Sequence, residues 1–173
     1  MPPRIEPVRN PDEDQRRRLA KTPLDASGAP LNLFATLAHR RRVMGRINAL
    51  GGCLALDSAL GDRERELAIV RAAANSGCDY ELTHHRAAAA EAGIEPDEIL
   101  AAENRDRVHP WSPADSALLQ VVDQICDDAD VDDSAWVELE GLFGLEARVD
   151  ILILAGFYRM LAGFLNGARV ESD

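Results

Sequence analysis

Residues 63–93 read RERELAIVRAAANSGCDYELTHHRAAAAEAG, and they set one cysteine, a tyrosine, two histidines and several glutamates among small and apolar residues that otherwise read as buried helix. Cys78, Glu81 and His85 advance by three and then four positions, so a helix carrying them shows all three on one face. Ala88, Ala89 and Ala92 continue that face with side chains too small to crowd a ligand, while Asp79, Thr83 and Arg86 fall on other sides. The segment before it has an apolar row of Leu67, Val70 and Ala74, and Asn75-Ser76-Gly77 supplies a stop and a turn. Two helices joined by so short a turn pack antiparallel or at an angle, which lets Glu66 point into the same space as Glu81 and His85.

Outward from this stretch, the composition fits one helical domain. The 173 residues are 46% hydrophobic and 28% charged, enough for a single real core. Alanine, leucine, arginine and glutamate are frequent, and no strand-like alternation lasts long enough to demand a sheet, so the expected class is all-α. A formal charge of −11 argues against a nucleic-acid partner, which needs a basic surface to release counterions. Three cysteines, Cys53, Cys78 and Cys126, cannot all pair within one chain, and the opening MPPRIEPVRNPDEDQRRR lacks the apolar core of a signal peptide, so a reduced cytoplasmic setting is expected. The longest apolar run, 151–165, is interrupted by Arg159 and falls short of the roughly 20 residues a bilayer requires, so no membrane partner is expected.

Along the chain, residues 1–30 read as an N-terminal extension with a polar helix at 11–21, residues 31–170 as the helical domain, and 171–173 as a tail. Asn32 is a candidate cap for a helix carrying Leu33, Phe34 and Leu37 inward; Val43, Ile47 and Leu50 form the next apolar row, with Gly51-Gly52 as its stop. Asp62 starts the helix bearing Glu66. Gly93 ends the central pair, Pro96 opens a short helix, Ser112-Pro113 opens another with Ala117, Leu118, Val121 and Ile125 inward, and Asp132 or Asp133 caps the next. A closing helix runs over 145–166.

These residues resemble the carboxymuconolactone decarboxylase superfamily, which also contains alkylhydroperoxidase D. The central segment carries the likeness, and LNLFATLAHRRRV and ILILAGFYRMLAGFLNGARV flank it as entry and closing helices. The resemblance implies an all-α, alkylhydroperoxidase D-like helical bundle that assembles into symmetric homo-oligomers with pockets near subunit contacts. In the redox branch the motif is a glutamate, a Cys-x-x-Cys pair, and a histidine four residues after the second cysteine. Here Glu66, Cys78 and His85 match, but Glu81 stands at the second cysteine and Tyr80 where that branch has a histidine. A carboxylate cannot form a disulfide, so the dithiol cycle loses its second thiol.

The Tyr80, Glu81, His85 arrangement looks instead like the decarboxylase-type branch. Decarboxylating a lactone acid leaves a carbanion or dienolate that must be stabilised and protonated. His85 is the acid or base of ordinary pH, Glu81 or Glu66 holds its tautomer or exchanges a proton, and Arg71 is a candidate fork for a substrate carboxylate, with Tyr80 beside it. The expectation is a cofactor-free lyase acting on a small carboxylated or lactone-like molecule, with His85, Glu81, Glu66 and Cys78 as catalytic candidates. A peroxidase using Cys78 with an external thiol, and a non-catalytic oligomeric binding protein, are the alternatives. Glu81-Leu82-Thr83-His84 has the Glu-x-x-His spacing of di-iron bundles, but no second such pair occurs, so no metal is expected. His84 turns about 100° from His85. Packing accounts for Tyr158, Arg159 and Asn166 on the closing helix about as well as a pocket does.

Overall fold

The computed structural model describes residues 2–173. Its chain divides into two compact units, one of Met1–Asp57 with Phe164–Asp173 and one of Ser58–Gly163. Among the described residues all regular structure is helical. Among the described residues the β pairing consists of one isolated bridge, Leu24 to Pro30.

The first unit contains α1 (Glu13–Leu19), α2 (Asn32–Leu37), a 3-10 turn (Ala38–Arg40) and α3 (Arg41–Leu56). Asp12 caps α1 and trades hydrogen bonds with Gln15 in a capping box, so the helix is tighter than the 11–21 expected. Leu31, not Asn32, occupies the N-cap of α2; the Asn32 amide instead donates to the carbonyls of Glu171 and Ser172, tying down the C-terminal tail. Gly51 and Gly52 do not end α3. Neither has positive φ, and the helix runs through them to Leu56. Each interior glycine costs about 1 kcal/mol, and the good helix formers Leu54, Ala55 and Leu56 carry the turn onward. The inward face of α3 is also one position away from the expected row: Met44 and Leu54 are buried, whereas Val43 and Leu50 are exposed.

The second unit holds α4 (Asp62–Asn75), α5 (Asp79–Glu91), α6 (Pro96–Glu103), α7 (Pro113–Asp128), α8 (Asp133–Leu142) and α9 (Leu145–Ala168) as far as Gly163. Helix α4 is its axis and packs against α5, α6 and α7. From Glu66 to Ala73 every α4 residue is buried, the charged Glu66 and Arg71 included, with Leu67, Ile69 and Val70 at 1% exposure or less. Each of those three side chains contributes about 1.5–3 kcal/mol by leaving water. The sequence marks the helix starts well: Asp132 caps α8, and Ser112 caps α7 ahead of Pro113. At 24 residues α9 is longer than the apolar run at its centre and apolar enough to cross a bilayer by length and composition, yet Ile151, Leu154, Ala155, Leu161 and Ala162 are buried against protein.

Candidate functional site

The junction of α4 and α5 builds the site. Ser76 caps α4, Gly77 takes φ +57°, its N–H donates to the Ala74 carbonyl, and the Cys78 N–H donates to that of Ala73. This is a Schellman ending, in which the left-handed residue is normally glycine because a Cβ is penalised there. It reverses the chain within two residues, so Cys78 closes α4 and is at once the N-cap of α5. The face foreseen as Cys78, Glu81 and His85 therefore begins on a cap residue, and the helix proper starts at Asp79. A second Schellman ending, with Gly93 at φ +82° and Ile94 donating to Ala89, finishes α5.

This reversal brings Glu66 to His85 across the helix pair. The imidazole Nδ1 stands 2.7 Å from Glu66 Oε2, and Arg65 Nε donates to Glu66 Oε1 at 3.3 Å while its Nη1 reaches Asp62 at 2.7 Å. In the tautomer whose Nδ1–H donates to the carboxylate, the ring's lone pair lies on Nε2. The Tyr158 ring, delivered by α9, meets the imidazole edge to face, centroids 5.0 Å apart and planes at 90°.

Glu81 is 4% exposed, and neither of its carboxyl oxygens has a hydrogen-bond partner of ordinary geometry. Burial pushes its acid up from the usual 4.5 to about 8, and the neighbouring Cys78 thiol tempers the effect. At neutral pH it is a carboxylic acid with a proton to give. Cys78 is wholly buried, and desolvation drives its thiol up to about 12, against the opposing pull of the Glu81 and Tyr80 backbone N–H groups at the start of α5. All three cysteines are free. Burial first, and then the charges of Glu66 and Glu81, also hold the Tyr158 hydroxyl in its protonated form, well above the usual value.

The structure thus gathers Glu66, Glu81, His85 and Cys78, and leaves two sequence candidates out of the cluster. Arg71 spends its fork on Asp123, with Nε and Nη2 at 2.6 and 2.8 Å, and gives Nη1 to the carbonyl of Ala102 at 3.0 Å. It clamps α4 to α7 and to the end of α6, and so is engaged in holding helices together. The Tyr80 ring packs against His84, with centroids 4.8 Å apart. Arg65 and Tyr158 are the members that sequence reasoning undervalued. Among the described residues no group of three or more His, Cys, Asp or Glu side chains is arranged to hold a metal ion.

The carboxymuconolactone decarboxylase family model matches residues 42–124, which include α4, α5 and the whole cluster except Tyr158. Among solved structures, the alkylhydroperoxidase AhpD core protein of Ralstonia eutropha JMP134, an uncharacterized peroxidase-related protein, is 25% identical with a TM-score of 0.81, covering 100% of this chain and 94% of that one. The uncharacterized peroxidase-related protein of Silicibacter sp. TM1040 is 20% identical, TM-score 0.80, covering 100% and 95%. The debrominase Bmp8 in its apo form is 16% identical, TM-score 0.74, covering 98% and 91%. The likenesses to the last two speak for the fold alone. No curated protein matches the chain in sequence.

Proposed function

We propose that this chain, matched over residues 42–124 by the carboxymuconolactone decarboxylase family model, is a member of that alkylhydroperoxidase D-like superfamily and an acid–base enzyme of the decarboxylase type, acting on a small carboxylated or lactone-like molecule. The observation that carries this reading is the 2.7 Å bond between His85 and Glu66 in a cluster with Glu81, whose buried carboxyl is raised to about 8. A hydrogen-bonded imidazole and a carboxyl raised by burial supply the acceptor and the donor that proton transfer requires.

In this scheme His85 Nε2 takes or holds a proton while Glu66, anchored by Arg65, fixes the tautomer. When the substrate's carboxylate leaves as carbon dioxide, the bonding pair stays on carbon as an enolate, and the Glu81 acid returns a proton to it. Arg65 is the cation we assign to a substrate anion, the part first given to Arg71: its Nη2 has no bond among the described residues. The Cys78 thiol interacts with the Glu81 carboxyl. A thiol that is fully buried and raised to about 12 is poorly suited to attack a peroxide, which counts against the peroxidase reading. The scaffold itself does not choose between these chemistries, since one fold hosts many.

Turnover of lactone acids, followed by release of carbon dioxide, is the test. His85→Gln, Glu66→Gln and Glu81→Gln are each expected to lower it by about 10²-fold or more, with Cys78→Ser active. Consumption of an alkyl hydroperoxide with dithiothreitol, abolished by Cys78→Ser and indifferent to Glu81→Gln, is the result that overturns the proposal. As part of the same reading we take the working form to be a symmetric homo-oligomer.

A further inference from the structure

The Glu66 bond alone does not aim the His85 imidazole. The ring turns about its own Cβ–Cγ bond whenever that single hydrogen bond opens, and the swing carries Nε2 away from any fixed substrate position. Something must block the swivel. On the same helix the Tyr80 ring packs against His84, and the ring that meets the imidazole comes from α9. Tyr158 meets the imidazole at 90° and 5.0 Å, the edge-to-face geometry that aromatic rings prefer. Tyr158 is itself braced edge to face by Phe157, 5.5 Å away at 85°, and Phe157 is buried. Phe157, Tyr158 and His85 therefore form a short chain of rings, each near perpendicular to the next, that runs from the packed side of α9 to the imidazole.

We infer that Tyr158 is a positioning residue for His85: its ring, braced by Phe157, fixes the imidazole plane, and together with the Glu66 bond this sets the direction of Nε2. The inference rests on the acid–base reading for its purpose, but not for its geometry. Other groups acting on the imidazole's surroundings are Glu66 and Arg65 from α4, Glu81 from α5, and the Tyr158 hydroxyl. The ring, and not the hydroxyl, is the part that positions, so phenylalanine is expected to substitute for it.

The experiment is nitrogen-15 NMR of the histidine side chains in the full chain, comparing the native protein with Tyr158→Phe, Tyr158→Leu and Glu66→Gln. In the native protein and in Tyr158→Phe, the His85 nitrogens are expected to show one tautomer, with Nδ1 protonated. In Tyr158→Leu they are expected to move toward the averaged shifts of a mobile imidazole, and lactone-acid turnover to fall about 10- to 100-fold, the scale of a misaimed catalytic group. Turnover of Tyr158→Phe is expected to stay within about twofold. Circular dichroism checks that the leucine variant folds; should it not, Tyr158→Met, unbranched and able to fill the space, carries the same comparison. His85 shifts in the leucine or methionine variant that coincide with the native ones overturn the inference. If the shifts move but His85→Gln leaves turnover intact, the inference stands and the acid–base reading falls.

Discussion

Glu81→Gln separates the chemistry of this site from its packing. A carboxyl raised from 4.5 to about 8 has its proton affinity in the folded state increased by about three and a half powers of ten, and at about 1.4 kcal/mol per power this places a ceiling of about 5 kcal/mol on the cost of ionising it in place. The sign follows from linkage. Below about pH 4.5 both folded and unfolded chains hold the proton and the stability is complete. Between 4.5 and about 8 the unfolded chain releases it while the folded chain keeps it, so stability falls as pH rises; above about 8 the loss is complete. Glutamine has nearly the same shape and no charge, so Glu81→Gln is expected to match the native protein near pH 5 and to be more stable by several kcal/mol at pH 9. Urea unfolding at pH 5, 7 and 9 measures this. Parallel curves for the two proteins across that range refute the claim that Glu81 is held neutral by burial.

Other consequences follow from the same geometry. Activity is expected to decline as pH rises through about 8, where Glu81 loses its proton, and a rate profile with no alkaline limb speaks against Glu81 as the acid. Arg71→Met removes a buried fork from half-buried Asp123, which Asn75 and Arg105 still hold, and is expected to cost about 1–3 kcal/mol in chemical denaturation while leaving the His85 NMR signals unchanged; altered His85 signals without loss of stability contradict its clamping role. With iodoacetamide at pH 7, the exposed Cys53 is expected to be labelled well before the buried Cys78 and Cys126, as read by peptide mass spectrometry. Gly77→Ala places a Cβ at φ +57° and is expected to cost about 1 kcal/mol of stability.

Much of this site is local in sequence and was therefore readable. Glu81 and His85 lie one turn apart on a single helix, and the Gly77 turn that returns Glu66 to them is signalled by Asn75-Ser76-Gly77. The helix starts at Asp62, Pro113 and Asp133 are announced by caps and prolines of the usual kinds. What escaped depends on partners far along the chain. Arg71 looks like an open fork until Asp123, 52 residues away, closes on it. Tyr158 reads as one more apolar position on α9, because nothing near it in sequence reveals the imidazole it meets. Gly51-Gly52 misleads for a different reason: glycine lowers helix propensity without forbidding a helix, and stops one reliably only where the backbone takes positive φ, as at Gly77 and Gly93.

The central claim is that a buried carboxylic acid stands ready beside the Glu66–His85 pair. It is tested most directly by carbon-13 NMR of the Glu81 carboxyl, identified by its absence in Glu81→Gln, as pH is raised from 4 to 10. The account predicts a midpoint near 8; a midpoint between 4 and 5, that of an ordinary solvated glutamate, contradicts it.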